Sequence, residues 1–340
     1  MKKKVRVEDS IGSLLAYDLT KIVKDEYKGP AFKKGHIIKE EDIEHLKKMG
    51  KYHIYVIEFG KDEIHEEEAA EIIVKATKGE GLSQTKPSEG KIGIIAEQRG
   101  ILKINTEALF QINSIDMVMM ATRHTNTLVE KGMTVAATRI IPLTIKKQKL
   151  DKLKEIEDKY GKIINIVPLK KLKVGICVTG TEVYEGLIED KFGAVLEKKT
   201  KGLGGEVIDI RFAPDDEELI KKEINFLIEK GADLIMLSGG MSVDADDVTP
   251  VAIRGIADEI VTYGTPVLPG AMFLLAYKGS STIVGIPACG MFHNVTVLDL
   301  LLPRIFTQEK LEKKDIAELG HGGLCLNCEP CEYPVCPFGK

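Results

Sequence analysis

Between about Leu172 and Phe306 the sequence alternates short apolar runs with amphipathic stretches of helical length. This alternation is typical of a parallel sheet covered by helices, because a strand buried on both faces is apolar throughout and a helix returns the chain to the next strand. We therefore predict an α/β fold, a three-layer, doubly wound and mostly parallel sheet. The predicted strands are 173–179, 206–212, 233–237 and 259–263, with a hairpin over 273–284; the predicted helices are 192–201, 215–230, one from about Pro250, and 291–302 ending at Pro303.

The first 165 residues show a different pattern, with short strand-like runs around one acidic helix. Strands are expected at 51–58, 91–95, 100–104 and 135–141, a helix at 64–76, a loop at 79–91 and a Lys-rich helix at 146–162. We predict three segments: a mixed, β-rich region over residues 1–165, the α/β domain over 166–307, and a Cys-rich tail over 308–340.

The charge balance and the apolar runs exclude several classes of partner. The chain has 340 residues, 48 Lys and Arg against 52 Asp and Glu, and a formal charge of -4, which gives no reason to expect nucleic acid. Its longest apolar run, Ala271 to Tyr277, is far too short to span a bilayer, and no apolar signal core follows the basic start. We expect a cytoplasmic protein with neither a nucleic-acid nor a membrane partner.

Three loops at predicted strand ends are candidates for ligand binding. In an open α/β sheet, ligands bind beyond the carboxyl ends of the strands. Small residues there let backbone N–H groups approach an anion such as phosphate, and a helix opening at the third loop would add its positive end. The loops are Thr179-Gly180-Thr181-Glu182, Ser238-Gly239-Gly240-Met241-Ser242 and Gly285-Ile286-Pro287-Ala288-Cys289-Gly290.

Carboxylates surround these loops. Asp215 and Asp216 follow the second strand, and Asp244, Asp246 and Asp247 follow the glycine pair. Carboxylates beside a phosphate repel it unless a cation lies between them, so we predict Mg²⁺ at this edge. Each Asp could instead cap a helix. The sequence contains neither the glycine-rich dinucleotide turn nor the P-loop motif.

Six ordered pieces in this region resemble the pterin-binding domain shared by molybdopterin molybdenumtransferases and molybdopterin adenylyltransferases. They are Thr179 to Glu182, Pro214-Asp215-Asp216, Ser238 to Val243, Asp244 to Pro250, Pro269-Gly270 and Gly285-Ile286-Pro287. The stretches 5–20 and 134–142 resemble the N-terminal modules of the molybdenumtransferase branch more weakly. The resemblance implies a protein of molybdenum cofactor synthesis, often oligomeric, that binds molybdopterin or its adenylylated form with Mg²⁺.

The resemblance also implies roles for individual residues. Phosphate and pterin would be held by Thr179, Gly180, Thr181, Glu182, Ser238, Gly239, Gly240, Ser242, Pro269, Gly270, Gly285 and Pro287. Mg²⁺ would be held by Asp244 with Asp215 or Asp216, with Asp246 and Asp247 as second choices. Asp244 and Asp216 are the predicted catalytic residues, which position groups and neutralise charge while molybdate enters the dithiolene and AMP leaves.

The chain departs from the molybdenumtransferase pattern at three points. Leu268 and Ala271-Met272 flank the Pro-Gly turn where lysines are usual, and Ala288-Cys289-Gly290 replaces the usual Gly-Asn-Pro. The residues after the last helix are also too few for the C-terminal barrel of the longer enzymes. Two alternatives therefore stay open: a non-catalytic carrier or sensor of molybdopterin, and an ATP-dependent adenylyltransferase, which the run Asp247-Val248-Thr249-Pro250 favours.

The tail carries Cys325, Cys328, Cys331 and Cys336, four of the six cysteines of the chain. In a large chain with no secretion signal the thiols are expected to be reduced, so metal ligation is the main use for such a cluster. The spacing suits a tetrathiolate zinc site or an iron–sulfur cluster, and it resembles a bacterial ferredoxin run with one extra residue before the last cysteine. The alternative is a disordered tail with idle thiols.

Overall fold

The structure is a computed structural model that describes residues 2–23, 27–57, 60, 62–242, 244 and 247–340. It divides into two compact units. One contains most of the chain up to Ile166, and the other contains Val167–Lys340 together with Arg99–Leu102 and His124–Leu128.

Up to Pro168 the described chain is rich in short strands, as the sequence predicts. The strands are β1 (Lys2–Arg6), β2 (Leu14–Leu15), β3 (Leu19–Val23), β4 (Tyr27–Phe32), β5 (His53–Ile57), β6 (Glu63–His65), β7 (Leu82–Gln84), β8 (Ile92–Ala96), β9 (Gly100–Ile104), β10 (Val118–Thr122), β11 (Leu128–Val129), β12 (Thr134–Ile140), β13 (Thr144–Lys146) and β14 (Ile164–Pro168). The helices are α1 (Glu40–Lys48), α2 (Glu66–Thr77), α3 (Thr106–Asn113) and α4 (Lys147–Tyr160).

Several predictions in this region change at their bounds. The helix expected from residue 64 begins at Glu66, because residues 63–65 form β6. The expected loop over residues 79–91 contains β7, which pairs with β8 in antiparallel register and buries Leu82. The strand expected over 51–58 is β5, and Glu58 lies outside the described residues.

The second unit is built on one six-stranded sheet. Its strands are β15 (Lys173–Thr179), β16 (Glu206–Ala213), β17 (Leu234–Ser238), β18 (Glu259–Tyr263), β19 (Leu274–Lys278) and β20 (Ser281–Ile286). Its helices are α5 (Thr181–Tyr184), α6 (Phe192–Gly202), α7 (Glu217–Glu229), α8 (Thr249–Ile256), α9 (Val297–Ile305) and α10 (Lys313–Glu318). The strand order is β16-β15-β17-β20-β19-β18. The first four strands are parallel to one another, and β19 is antiparallel to both of its neighbours, β20 and β18.

Successive residues of the central strands enter two separate cores, as expected for a sheet with helices on both faces. In β17, Leu234 and Met236 pack into one core, which also contains Leu298 of α9. Ile235 and Leu237 pack into the other, together with residues of α7 and α8. The three-layer, doubly wound and mostly parallel architecture predicted from the sequence is thereby confirmed.

The prediction for the last helix is wrong at both ends. The helix α9 begins at Val297, because Thr296 and Asp299 form a capping box there, and residues 288–291 form only a short 3-10 turn. The loop after β20 therefore does not open a helix, and no helical positive end faces the predicted site from this loop. Pro303 lies inside the helix rather than after it. Its missing N–H would leave the Asp299 carbonyl without a partner, and the Tyr333 hydroxyl donates to that carbonyl at 3.4 Å.

The tail packs onto the α/β core, so its described conformation differs from the alternative of a disordered tail. Leu324 pairs with Leu268 in a parallel bridge, and the Phe338 ring is 3% exposed within the core that also contains α9. The buried Arg304 guanidinium donates to Glu309 and Asp315, which ties the start of the tail to α9. No helix among the described residues is long and apolar enough to cross a membrane.

Candidate functional site

The ends of four parallel strands lie side by side at one edge of the sheet. In the register of the sheet, Thr179 is opposite Ala213, Val178 is opposite Ser238, and Ser238 is opposite Ile286. The three loops predicted from the sequence therefore start from neighbouring strands, at the edge where α/β folds bind ligands.

Hydroxyl groups join the first two loops beneath this edge. The buried Thr179 hydroxyl donates to the Ser238 carbonyl at 2.9 Å and lies 3.0 Å from the hydroxyl of Thr249. The Ser238 hydroxyl is fully buried and has no hydrogen-bond partner among the described residues. A buried polar group without a partner costs free energy. A ligand or a water that formed a hydrogen bond with the Ser238 hydroxyl would remove this cost.

Asp215 binds directly to the first loop. Its Oδ2 accepts hydrogen bonds from the Thr181 backbone N–H at 2.9 Å and from the Thr181 hydroxyl at 3.0 Å. Both hydrogen bonds from Thr181 are accepted by Oδ2, and Oδ1 takes part in neither of them. The carboxylate is therefore held in a fixed orientation beside the loop.

The glycine pair approaches its neighbours so closely that no side chain fits. A Cβ at Gly239 would lie 2.1 Å from the Thr179 carbonyl oxygen, and one at Gly240 would lie 2.7 Å from the Thr249 hydroxyl and 3.6 Å from Asp215 Oδ1. Both glycines also have positive φ, at 96° and 54°. The structure therefore brings the loops after β15, β16 and β17 together, as the sequence predicts.

Asp216, Asp244 and Asp247 make different contacts from those of Asp215. The Asp216 carboxylate accepts from the Leu219 N–H at 2.9 Å and caps α7, which favours the capping alternative for this residue over the predicted catalytic role. Asp244 is exposed, and its N–H donates to Asp247 Oδ2 at 3.2 Å. Asp246 lies outside the described residues.

Other predicted site residues lie at the same edge with different exposure. Glu182 and Ser242 are exposed, whereas Gly285 and Pro287 are buried. Gly285 leaves no room for a side chain because a Cβ there would lie 2.5 Å from Met241 Cε.

Pro269 and Gly270 make their contacts elsewhere in the domain. The Pro269 carbonyl accepts from the Val297 N–H at 3.2 Å, and a Cβ at Gly270 would lie 2.5 Å from Val297 Cγ1. Among the described residues no hydrogen bond links this turn to the loops after β15, β16 and β17. Their predicted role in holding the pterin stays a prediction.

Sequence reasoning assigned no site role to Thr249, although this residue lies in the motif run 244–250, or to Tyr263. Thr249 stands before Pro250 at the start of α8, and its burial could be read only from the fold. The Tyr263 hydroxyl lies 3.1 Å from the carbonyls of Met241 and Ser242 and donates to them, which supports the glycine loop from below. Burial raises the pKa of Tyr263, so the hydroxyl keeps its proton and remains a donor.

Within the part of the chain that the structure describes, no three His, Cys, Asp or Glu side chains are gathered to hold a metal ion. The predicted magnesium and thiolate sites are therefore not preformed by protein ligands alone. Cys289, in the turn after β20, is half-buried, and burial raises the pKa of its thiol. Cys177 lies in the core, where burial raises the pKa of the thiol to about 12.

A cavity of about 290 Å³ lies away from the strand ends just described, lined by Asp233, Asp258, Tyr277 and Lys310 among others. Two of its acidic groups are already paired, Glu259 with Lys310 and Asp258 with Lys278, both at 2.8–2.9 Å. Among the described residues, no buried side-chain atom without a hydrogen-bond partner lines this cavity, in contrast to Ser238 at the strand ends.

Comparisons with known proteins match part of the second unit. The family model described as "Probable molybdopterin binding domain" matches residues 175–307. Residues 175–307 thus match the model of a molybdopterin-binding domain, and the resemblance inferred from the sequence is confirmed for this part of the chain. A second model, described as a domain of unknown function, matches residues 4–58, so the resemblance of residues 5–20 to molybdenumtransferase modules stays a prediction.

Two sets of individual proteins are similar to parts of the chain. CinA-like proteins of Mycobacterium tuberculosis and Mycobacterium avium are 38% and 39% identical over 90 residues, which is 26% of this chain and 21% of each relative. The chain therefore matches only about a fifth of the length of these curated relatives.

Solved structures give a weaker likeness. The molybdopterin biosynthesis enzyme MoaB of Thermus thermophilus is 22% identical, covers 41% of this chain and 98% of its own, and has a TM-score of 0.35. The molybdopterin biosynthesis Mog protein of Mycobacterium ulcerans is 19% identical, covers 40% and 98%, and has a TM-score of 0.36. These scores are too low to carry an argument about the site.

Proposed function

We propose that this protein binds molybdopterin in molybdenum cofactor synthesis and acts as a molybdenumtransferase, which inserts molybdate into adenylylated molybdopterin and releases AMP. The observation that carries the proposal is the convergence of Thr179, Asp215 and Gly240 at one edge of the sheet. The family match over residues 175–307 supports a molybdopterin as the ligand.

The glycine loop provides the features that a phosphate ligand needs. Without side chains at Gly239 and Gly240, backbone N–H groups can approach phosphate oxygens, and the buried Ser238 hydroxyl is available as a further partner. The site residues would thus hold the phosphate of adenylylated molybdopterin by its oxygens.

The residues present suit Mg²⁺ held mainly by the ligand. Mg²⁺ usually keeps several waters and is bound through one or two carboxylates plus phosphate oxygens, so a set of three protein ligands is not required. Asp215, fixed by Thr181 with Oδ1 outside those bonds, is the first candidate, and Asp244 and Asp247 are further candidates. Bound Mg²⁺ would neutralise charge on the phosphate during transfer.

The chain then contributes positioning rather than a nucleophile. Thr181 holds the Asp215 carboxylate. The Thr179 hydroxyl joins the end of β15 to the end of β17 at Ser238 and to Thr249 at the start of α8. The Tyr263 hydroxyl supports the glycine loop at Met241 and Ser242. Groups fixed before the reaction stabilise charge in the transition state without the cost of reorienting.

The direct test is to mix purified protein with adenylylated molybdopterin, molybdate and Mg²⁺ and to measure AMP by chromatography. We expect AMP release that requires both molybdate and Mg²⁺. Ligand binding without AMP release contradicts the transferase. Replacing these substrates with ATP and molybdopterin and measuring pyrophosphate tests the adenylyltransferase alternative.

A second candidate is a non-catalytic carrier or sensor of molybdopterin. It is favoured by Leu268 and Ala271 in place of lysines, because the turn then offers no cation to molybdate. The Leu268 side chain is 54% exposed, and its backbone pairs with the tail instead. Under this candidate, molybdopterin binds with Mg²⁺ but molybdate neither changes the affinity nor releases AMP.

A further inference from the structure

The four tail cysteines have no role in the proposed reaction. Cys325, Cys328, Cys331 and Cys336 are all free thiols; the middle two are exposed, and the outer two are partly buried. Twelve residues that carry four thiols are unusual unless the thiols bind something.

The segment between the outer cysteines is anchored at both ends. Cys325 and Cys336 pack against the same hydrophobic core as α9. Before Cys325, the chain pairs with Leu268, and beyond Cys336 the Phe338 ring is buried. The intervening loop thus has ends held by the domain, and the two exposed cysteines lie between them.

One backbone N–H already points at a sulfur of the first Cys-x-x-Cys pair. The Asn327 N–H donates to Cys325 Sγ at 3.4 Å, and Asn327 has a positive φ of 51°, which is uncommon for a residue other than glycine. Backbone N–H groups that point at cysteine sulfurs stabilise thiolates bound to metals and tune iron–sulfur clusters.

We propose that Cys325, Cys328, Cys331 and Cys336 bind one zinc ion or one iron–sulfur cluster through four thiolates, and that this binding stiffens the turn at Leu268 and Pro269. No three of these thiols share a site in the structure, so binding closes the loop over 326–335. Such coupling of metal binding to local folding is usual for cysteine sites.

The connection to the turn is through the backbone. The Leu268 N–H donates to the Gly323 carbonyl and the Cys325 N–H donates to the Leu268 carbonyl, both at 2.8 Å. The next carbonyl, of Pro269, accepts from Val297 at the start of α9. The turn is therefore held between the tail and α9, and the first metal ligand is bonded to it directly.

Metal binding is tested on the full chain purified without oxygen, by elemental analysis and visible absorption. We expect about one zinc per chain without colour, or iron and sulfide with a broad band near about 400 nm; either result supports the proposal and identifies the metal. The double variant Cys328→Ser, Cys331→Ser is expected to lose the metal, and the control Cys289→Ser to keep it. A metal-free wild type, or a double variant that keeps its metal, overturns the proposal.

Coupling to the turn is tested by amide hydrogen exchange on peptides that contain Leu268 and Cys325. Removal of the metal with a chelator is expected to speed exchange of both amides by about tenfold or more in the wild type and to leave the double variant unchanged. Folding of the double variant is checked by the exchange of β17, which lies in the core. Equal exchange at Leu268 with and without metal overturns the coupling. Neither metal content nor amide exchange depends on pterin or AMP. A negative result here therefore leaves the proposed transferase function untouched, and absence of AMP release leaves the metal site untouched.

Discussion

Two adjacent aspartates in this protein have the same sequence context and different structural tasks. Asp215 binds Thr181 in the loop after β15, whereas Asp216 caps α7. The sequence places both after the same strand and cannot assign these tasks, because a difference of one residue turns the side chains in different directions. The pair gives a site variant and a matched control.

Asp215→Asn is expected to weaken Mg²⁺-dependent binding of molybdopterin by about 10- to 100-fold, because a neutral amide is a poor ligand for the cation. Asp216→Ala removes a helix cap and is expected to cost about 1 kcal/mol of unfolding free energy with little change in binding. Calorimetric titration and urea denaturation measure the two effects. Equal loss of binding in both variants would show that Asp215 has no special role.

Gly240 tests the close approach of the loops. Gly240→Ala places a methyl group 2.7 Å from the Thr249 hydroxyl at a φ of 54°, so we expect the loop to shift and ligand binding to be lost. Gly231→Ala shares the positive φ, at 86°, but meets no atom within 4 Å. The control should therefore lose only about 1 kcal/mol of stability through backbone strain and retain the ligand. Binding that survives in Gly240→Ala contradicts the proposed phosphate loop.

At the scale of elements, the strands of the α/β domain were predictable and the last helix was not. The run 173–179 matches β15 at both ends, because every residue after Lys173 is buried and leaves a continuous apolar signal. The run 259–263 also matches β18 at both ends, although Glu259 and Ile260 are exposed on this edge strand. Pro303 looks like a helix end in the sequence. It lies within α9, and the hydroxyl of Tyr333, thirty positions later, donates to the Asp299 carbonyl, to which Pro303 has no N–H to donate. Such a long-range partner leaves no local trace.

The docking of the tail is expected to contribute to stability through Phe338. Phe338→Ala removes a buried ring from the core beside α9 and should lower the unfolding free energy by about 3 kcal/mol. The control Val335→Ala changes a side chain that is 83% exposed and should alter it by less than about 0.5 kcal/mol. Urea denaturation distinguishes the two. A neutral Phe338→Ala would show that the tail is not part of the folded core.

The ion pairs of Arg304 with Glu309 and Asp315 make the stability of the tail depend on pH. Burial raises the pKa of Asp315, but the Glu312 N–H and the Arg304 guanidinium outweigh it and hold the pKa below its ordinary value of 3.8. Because the folded pKa is depressed, the stabilisation is present above pH 3.8 and is lost as the pH falls below it. The difference in unfolding free energy between wild type and Asp315→Asn should therefore shrink as the pH falls from 6 towards about 3. A difference that is constant over this range contradicts the assignment.

For the whole molecule, the sequence predicted which loops meet but not everything that holds them together. The order of strands β16, β15, β17 and β20 brings residues 179, 215 and 240 together, and the glycine and aspartate motifs indicated them beforehand. Thr249 and the unpartnered Ser238 hydroxyl required the fold, because burial of a small polar side chain has no sequence signature. The contact between the turn at Leu268 and the tail likewise joins segments more than fifty residues apart.

The most direct test is a crystal structure of the full chain with adenylylated molybdopterin and Mn²⁺, the manganese being located by its anomalous scattering. We predict a manganese peak beside Asp215 and ligand phosphate over Gly239 and Gly240, near the Ser238 hydroxyl. Ligand density in the cavity lined by Tyr277 and Lys310, with the edge beside Asp215 empty, would contradict the account.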